Sequence, residues 1–402
     1  MNILLVSSYL PYPLFSGGHI RLYNLIKLLS EKHKITLVCE KRNYQRDKDI
    51  DEINKYCEKI IIFDRKTQWG FGNIVKTGFS VSPFLIVGHT IPAMKSALQE
   101  LFKKEYFDLI HVETSYVIQN LPKTMIPIVL VEHNVEYLVY KRFADKAFLL
   151  LKPFLYLDVL KLKTWEEKKW RKAAKLVAVS ETEKKIMEKK RKDVVIVPNG
   201  VDITKFKIHP DSIGTKFKID REKRILFIGE FKWVQNIDAI EFILKEIWPK
   251  LQSELIPTMN GKGIKLWVVG RKIPDMVRKL TSDKSIIFDE NAPKETEVIY
   301  QQSDILLSPI RVGGGTSYKI LESMASGVPV VTTVLGNAIE AKEDSEIVIA
   351  KTSDEFVQSI KKLLEDKKIY ETIAKNARKL VEEKYDWRKI VERLEAVYGS
   401  VT

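Results

Sequence analysis

Three glycines, a lysine and a glutamate lie close together in the stretch RVGGGTSYKILESMASGVPVVTT, from Arg311 to Thr333. The run DILLSP before it predicts a strand, and YKILESMAS predicts a helix with Thr316 or Ser317 as its N-cap. Gly327 is placed to end that helix. Glycines at a strand-to-helix corner let the backbone approach a ligand closely, and the N–H groups of a helix start attract phosphate. The chemistry that this pattern favours is phosphate binding.

Charged side chains flank the same corner. Lys319 falls in the first turn of the predicted helix, Arg311 precedes the glycines, and Glu322 shares a helix face with Lys319. The alternative is a tight turn followed by a surface ion pair. The stretch has no GxxxxGK[ST] motif, and GxGxxG fails because Tyr318 stands at its last glycine. The residues alone leave both interpretations open.

A second glycine corner lies near the start of the chain, in SSYLPYPLFSGGHIRLYNLIKLL. A strand-like run ends, and Gly17 and Gly18 open a helix whose apolar residues recur at helical spacing. This corner could present backbone amides to a ligand, or it could only give the helix start its flexibility. The pair of glycines is therefore a second candidate ligand site.

A histidine follows another strand-like run in VLVEHNVEY. His133 has Glu132 beside it and Glu136 three residues later, so it could bind a polyhydroxylated ligand or transfer a proton. His111, in DLIHVETS, is a lesser candidate of the same kind. No HExxH, GxSxG or paired-cysteine motif supports metal or serine-hydrolase chemistry.

Continuous apolar runs alternate with helical patterns through the whole chain. Such runs are typical of parallel strands buried on both faces, so the fold class is α/β and doubly wound. A length of 402 residues predicts two domains. The strand-helix pattern restarts at Lys223, after a polar, turn-rich segment from Gly200 to Glu222.

The formal charge is +14, from 67 Lys and Arg against 53 Asp and Glu. This excess indicates either an anionic partner or a solvated Lys/Glu-rich surface. Cys39 and Cys57 are the two cysteines, and their spacing favours a reducing compartment. The N-terminus has no signal-peptide pattern, and no apolar run reaches about 18 residues. We expect a cytoplasmic protein, either free or peripheral at the inner face of the membrane.

A basic and aromatic helical stretch runs from Tyr140 to Ala174. It could lie on an acidic membrane surface. The alternative is a pair of helices that pack on the first sheet while their lysines extend to the solvent. The frequency of core-facing helices favours this alternative.

Together these motifs resemble the retaining glycosyltransferases of family 4, the glycosyl transferases group 1, which have the GT-B fold. The resemblance rests on SGGHIRLYNLIKLL, DLIHVE, VEHNVEY, KLVAVSETE, VPNGVD, ILFIGEFKWVQNIDAIEFILKEIWP, the stretch from Arg311 and NARKLVEEKYDW. It implies two Rossmann-like domains that face each other across a cleft. Residues 1–200 would form the acceptor domain and 201–385 the donor domain, and 386–402 would be a helix that crosses back.

The resemblance also implies roles for residues. Glu322 matches the second glutamate of the E-x7-E motif, which binds the ribose of the donor. Gly17 and Gly18 match a loop near the donor diphosphate, and His133 matches a histidine that contacts the transferred sugar. The backbone of the glycine loop would also bind the donor; its residues are Gly313, Gly314, Gly315 and Thr316.

Two positions depart from the family pattern. Gly314 stands where the first glutamate of E-x7-E is expected, as in a subgroup with a GGGT-x-x-KILE loop. Glu230 stands where the family has an arginine. We therefore assign neutralisation of the diphosphate to Lys319 and Arg311.

The expected activity is transfer of a sugar from a nucleotide-diphosphate sugar to a glycan or lipid-linked hydroxyl acceptor, without a metal or other cofactor. The alternatives are a GT-B nucleotide-sugar epimerase and a nucleotide-sugar-binding protein without turnover. A nucleic-acid partner is not expected, because aromatic residues interleaved with Lys and Arg occur only in the Tyr140–Ala174 stretch.

Overall fold

The computed structural model describes residues 1–65, 67–208, 222–255, 263–293, 295–312 and 317–402. By their internal contacts these residues form two compact units. Unit 1 consists of Met1–Pro198 and Ile390–Thr402, and unit 2 consists of Asn199–Lys389. The last helix begins at Trp387, and its residues from Ile390 onward belong to unit 1.

Unit 1 contains a seven-stranded parallel sheet with the strand order β3-β2-β1-β4-β5-β6-β7. Its strands are β1 Asn2–Ser7, β2 Lys34–Lys41, β3 Lys59–Asp64, β4 Leu109–Glu113, β5 Ile128–Glu132, β6 Lys175–Ala178 and β7 Val194–Ile196. Its helices are α1 Gly17–Leu29, α2 Asp47–Asn54, α3 Phe71–Gly78, α4 Phe84–Gly88, α5 Pro92–Lys104, α6 Glu136–Lys146, α7 Lys152–Lys172 and α8 Glu181–Met187. Short 3₁₀ segments occupy Ser115–Asn120 and Leu149–Leu151.

Helices cover the sheet of unit 1 because their apolar residues recur on one face. In α5, Met94, Leu98 and Leu101 are buried and pack with Leu4 and Val6 of β1. The central strands are buried, β1 from its second residue onward and β4 along its whole length, as the continuous apolar runs predict.

Unit 2 contains a six-stranded parallel sheet with the order β10-β9-β8-β11-β12-β13. Its strands are β8 Lys223–Ile228, β9 Ile264–Val269, β10 Ile286–Asp289, β11 Ile305–Ser308, β12 Val330–Thr332 and β13 Val348–Ile349. Its helices are α9 Val234–Phe242, α10 Trp248–Leu255, α11 Asp275–Arg278, α12 Thr296–Gln301, α13 Tyr318–Ala325, α14 Ser353–Glu365 and α15 Lys367–Lys384; α16 is Trp387–Gly399. A π-helical turn, Ile243–Ile247, joins α9 to α10.

Both sheets reverse their strand order next to the first strand. In unit 1 the strand β1 pairs with both β2 and β4, and in unit 2 the strand β8 pairs with both β9 and β11. Ligands of open parallel sheets bind at such switch points, outside the carboxyl ends of the strands. The prediction of two doubly wound α/β units is confirmed. In the described ranges, no helix has both the length and the apolar character needed to span a bilayer.

Candidate active site

The helix after the glycine loop begins where the sequence predicts. Ser317 occupies the N-cap position of α13, although its side chain makes no capping hydrogen bond. Gly327, with φ of 68°, follows the end of the helix in the left-handed conformation that glycine adopts readily. The four predicted ligand residues Gly313, Gly314, Gly315 and Thr316 lie outside the described residues.

Lys319 reaches from the first turn of α13 to the helix that follows β8. Its Nζ donates to Oδ1 of Asn236 at 2.9 Å and lies 5.1 Å from the centre of the Phe227 ring. Asn236 is buried, and its Nδ2 donates to the carbonyl of Glu230 at 2.9 Å. Burial lowers the pKa of Lys319 to about 8, against the opposing charge of Glu322. The lysine is thus partly buried, and a neighbouring anion can stabilise its protonated form.

Glu322 is held by a different helix from the one that holds Lys319. The hydroxyl of the buried Tyr300, in α12, donates to Oε2 of Glu322 at 2.9 Å. Burial raises the pKa of Glu322 to about 7, although the hydrogen bond from Tyr300 and the charge of Lys205 act against it. Lys319 and Glu322 therefore contact different elements and are partly buried, unlike an exposed i,i+3 pair.

Arg311 is engaged in a two-point ion pair. Its Nε and Nη2 donate to the two carboxylate oxygens of Asp238 at 3.1 and 2.9 Å. Its guanidinium also lies over the ring of Phe242, 4.2 Å from the ring centre. Two cations of the predicted site are thus positioned by α9, which carries Asn236 and Asp238.

Sequence reasoning did not identify Asn236, Asp238 or Tyr300 as site residues. A signal was present for the first two, because VQNID places polar residues in the first turns of a helix that follows a strand. Tyr300 had no such signal, since its contact with Glu322 joins residues 22 positions apart on separate helices.

In unit 1 the structure brings the glycine corner and His133 together. The helix α1 begins at Gly17, and Ser16 caps it by accepting from the backbone N–H of His19. The hydroxyl of Tyr9 donates to the carbonyl of Gly18 at 3.2 Å. A Cβ atom at Gly18 would lie 3.0 Å from that hydroxyl and 3.6 Å from Cε1 of His133. Gly18 therefore allows the helix start to pack closely beside Tyr9 and His133.

A buried carboxylate orients His133. Nε2 of His133 lies 2.5 Å from Oε1 of Glu113, and Nε2 of His111 lies 2.6 Å from Oε2 of the same residue. Nε of Arg21 donates to Oε1 of Glu113 at 3.2 Å. Burial acts to raise the pKa of Glu113, but His133, His111 and Arg21 outweigh it and hold the pKa well below the usual range. Glu113 is therefore an ionised acceptor that sets the orientation of both imidazoles.

Glu132, the carboxylate next to His133 in the sequence, has other contacts. Glu132 accepts from the backbone N–H of Ser115 at 3.2 Å and from Nε1 of Trp170 at 3.1 Å. Burial raises its pKa to about 8. Glu132 is thus engaged by Ser115 and Trp170. The carboxylate that contacts His133 is Glu113, at the end of the neighbouring strand β4, a residue to which the sequence analysis gives no role.

A further glutamate caps the helix that follows His133. Glu166, in α7, accepts from the backbone N–H groups of Glu136 and Tyr137 at 3.0 and 2.8 Å. These N–H groups belong to the start of α6 and have no partner within the helix. Burial raises the pKa of Glu166 well above its ordinary value. The contact fixes the direction in which α6 leaves the site.

Comparisons with known proteins agree with this architecture. The sequence model of Glycosyltransferase Family 4 matches residues 15–205, and that of Glycosyl transferases group 1 matches residues 222–366. An uncharacterized 44.6 kDa protein in the cps region of Klebsiella pneumoniae is 24% identical, over 97% of each chain. The capsular polysaccharide biosynthesis glycosyltransferase CapM of Staphylococcus aureus is 25% identical, over 50% of this chain and 53% of its own.

The fold has counterparts among solved structures. The Anabaena protein HepE, crystallised in complex with UDP and glucose, is 15% identical and has a TM-score of 0.66 over 100% of each chain. Identity at this level shows a shared fold, here that of the GT-B glycosyltransferases. Since the two family models together span most of both units, the chain is a glycosyltransferase with an N-terminal Glycosyltransferase Family 4 domain followed by a Glycosyl transferases group 1 domain.

Proposed function

We propose that this glycosyltransferase moves a hexosyl group from a nucleotide-diphosphate sugar to a hydroxyl acceptor, with retention of the anomeric configuration and without a metal ion. The observation that carries the proposal is the arrangement at the start of α13, where Lys319 and Glu322 are partly buried and separately held by Asn236 and Tyr300. One group offers positive charge to a diphosphate, and the other offers acceptor oxygens to the ribose hydroxyls.

Donor binding divides between these groups and the loop before them. The Glu322 carboxylate accepts from the two ribose hydroxyls, while Lys319 contacts the diphosphate. Backbone N–H groups of Gly313, Gly314, Gly315 and Thr316 add donors to the phosphate oxygens, as the glycine-rich sequence favours. Arg311 adds a second positive charge, which its ion pair with Asp238 partly neutralises.

The reaction breaks the bond between the anomeric carbon and the diphosphate oxygen and forms one to the acceptor oxygen on the same face of the sugar. Negative charge develops on the departing diphosphate, and Lys319 stabilises it. The departing phosphate takes the proton of the acceptor hydroxyl. His133, oriented by Glu113, contacts the transferred sugar, and the backbone of Gly17 and Gly18 would contact the diphosphate.

The relatives of this chain support a role in cell-surface polysaccharide synthesis. CapM is named for capsular polysaccharide biosynthesis, and the Klebsiella relative is encoded in a cps region. The acceptor would accordingly be a glycan or a lipid-linked sugar, bound by unit 1. A nucleotide-sugar-binding protein without turnover is the second candidate, because Gly314 replaces a glutamate that contacts the donor sugar in related enzymes.

One experiment separates these candidates. The protein is incubated with a panel of nucleotide sugars that begins with UDP-glucose, the ligand of HepE, and both the thermal shift and the release of nucleoside diphosphate are followed with and without EDTA. A transferase is stabilised by its donor and releases diphosphate when an acceptor is added, whereas a binding protein is only stabilised. Absence of stabilisation by every nucleotide sugar and nucleoside diphosphate contradicts both candidates. Loss of turnover in EDTA contradicts metal independence.

A further inference from the structure

Large apolar side chains are unusually exposed on two segments of unit 1. Phe79 and Val81 are 93% and 91% exposed. The 69–81 segment, which includes α3, presents Trp69, Phe71, Phe79 and Val81. The 148–160 segment presents Phe148, Leu149, Leu150, Phe154, Leu157 and Leu160, each more than half exposed. Single exposed apolar residues need no explanation, but groups of this size mark an interaction site.

Hydrogen bonds join the two segments into one surface. Nζ of Lys161 donates to the carbonyls of Thr77 and Ser80 at 2.9 and 2.8 Å. The backbone N–H of Phe84 donates to Oδ1 of Asp158 at 2.9 Å. These contacts hold the end of α3 and the start of α4 against α7. We call the 69–81 and 148–160 segments together the apolar surface.

The two faces of α7 differ in their packing. Its buried residues are Val159, Leu162, Glu166 and Trp170, which recur on one face of the second part of the helix. The residues Phe154, Leu157 and Leu160 are exposed. Packing on unit 1, the alternative that the sequence favoured, therefore accounts for the buried face of α7 and leaves Phe154, Leu157 and Leu160 exposed.

Basic residues are frequent within and next to the two segments of the apolar surface. Residues 140–172 contain ten Lys or Arg and four Asp or Glu. Lys76 on α3 and Lys141 and Arg142 on α6 are exposed. Apolar side chains beside cationic ones match the interface of an anionic bilayer. There the apolar side chains contact acyl chains and the cationic side chains contact lipid phosphates. A symmetric contact with a second copy would instead bring like charges together.

We propose that the apolar surface docks unit 1 on a bilayer that contains anionic phospholipid. Phe79, Val81 and Phe148 enter the boundary between headgroups and acyl chains, and the surrounding Lys and Arg side chains contact lipid phosphates. The helix α6 starts three residues after His133 and, with 11 residues, extends about 16 Å toward residue 148. Given the proposed function, this places the acceptor-binding unit at a membrane that carries a lipid-linked acceptor.

Vesicle sedimentation tests the proposal with the full chain. Vesicles of phosphatidylcholine alone are compared with vesicles of phosphatidylcholine and phosphatidylglycerol, at low and high salt. We expect sedimentation with the anionic vesicles that weakens as salt screens the charges. The double variant Phe79→Ser/Val81→Ser and the triple variant Phe148→Gln/Leu149→Gln/Leu150→Gln should each partition at least about tenfold less. Replacement of Lys141 and Arg142 by Gln should reduce the preference for anionic vesicles about fivefold per charge.

Met125→Gln is the matched control, because Met125 is 99% exposed in unit 1 but lies outside the apolar surface. It should sediment like the wild type, and all variants should keep the wild-type melting temperature. Equal sedimentation of the apolar-surface variants and the wild type, or none by the wild type, would overturn the proposal. A dimer in solution that the same variants dissociate would identify a second copy as the occupant. Diphosphate release with a soluble acceptor is measured in parallel, so failure of docking and failure of the transferase proposal are distinguishable.

Discussion

Nζ of Lys319 lies 2.9 Å from Oδ1 of Asn236, a residue 83 positions earlier in the chain. Asn236 belongs to the helix after β8, and Lys319 belongs to the helix after β11. These two strands are neighbours in the sheet, so the starts of both helices meet at one switch point. The amide thus positions the cation that we assign to the donor diphosphate.

The first prediction concerns the proton on Lys319. Its pKa of about 8 leaves the amine largely neutral at pH 8.5, and a bound diphosphate should raise that pKa. Donor binding at pH 8.5 should therefore take up protons. Titration calorimetry in buffers of different ionisation enthalpy measures this uptake. The Lys319→Arg variant, whose side chain stays charged at this pH, should bind the donor without proton uptake. Equal proton uptake in this variant would assign the proton to another group.

The second prediction concerns Glu322. Because its pKa is about 7, Glu322 becomes protonated as the pH falls through 7. The protonated form has lost the carboxylate that accepts hydrogen bonds from ribose. Donor affinity should decline over that range, and Tyr300→Phe should move the decline to higher pH because it removes a hydrogen bond that lowers the pKa. Glu322→Gln should weaken binding about 10- to 100-fold and abolish the pH dependence. Affinities measured from pH 5.5 to 8.5 test this, and an unchanged profile in Glu322→Gln would refute it.

The third prediction compares the two cations. Because Asp238 already engages two nitrogens of Arg311, we expect Arg311→Ala to reduce kcat less than Lys319→Ala does. Loss of one preorganised donor typically costs about 100- to 1000-fold, which is the effect expected at Lys319. Steady-state kinetics on both variants decide the order. A larger loss at Arg311 would make that residue the main stabiliser of the leaving group.

The fourth prediction separates contact from positioning at His133. His133→Ala should lower kcat about 100-fold or more while unfolding remains close to wild type. Glu113→Gln should lower kcat and also destabilise the protein by about 3–5 kcal/mol, because it leaves the buried Arg21 without its ionised partner. Denaturant unfolding together with kinetics gives both quantities. A Glu113→Gln protein with wild-type stability would show that the pair is not ionised.

The fifth prediction concerns Glu132. In the folded protein the pKa of Glu132 is about 8, above the ordinary value of about 4.3. The protonated side chain therefore stabilises the fold fully below pH 4, and this contribution is lost as the pH rises through 8. The free energy of unfolding should therefore fall between pH 5 and 8 with a slope of at most about 1.4 kcal/mol per pH unit. Glu132→Gln should flatten this slope. The exposed control Glu100→Gln should leave it unchanged.

The fold was predictable in its elements because each buried strand is a continuous apolar run and each helix carries a periodic apolar face. Continuous apolar runs form β1 and, from Lys223, β8, and Gly327 follows the end of α13 as predicted. The placement of Lys319 in the first turn of α13 followed from the N-cap at Ser317. Local rules of this kind need only neighbouring residues.

The partners of the site residues were not predictable in the same way. Glu113 rather than Glu132 contacts His133, because the order of strands in the sheet places the end of β4 beside the end of β5. Asn236 and Tyr300 reach Lys319 and Glu322 from separate helices. Such pairs depend on strand order and helix direction, which no short stretch of sequence contains.

The sequence by itself determined two α/β units, the helix start at Lys319 and the family to which the chain belongs, because apolar periodicity, capping residues and motif order are local properties. Only the tertiary structure decided which groups hold Lys319, Glu322 and His133, and which apolar residues remain exposed. Phe154, Leu157 and Leu160 could have packed on the sheet, but burial of Val159, Leu162 and Trp170 uses the opposite face of α7. A helix can turn only one face to the core of its unit, so the remaining apolar residues face outward.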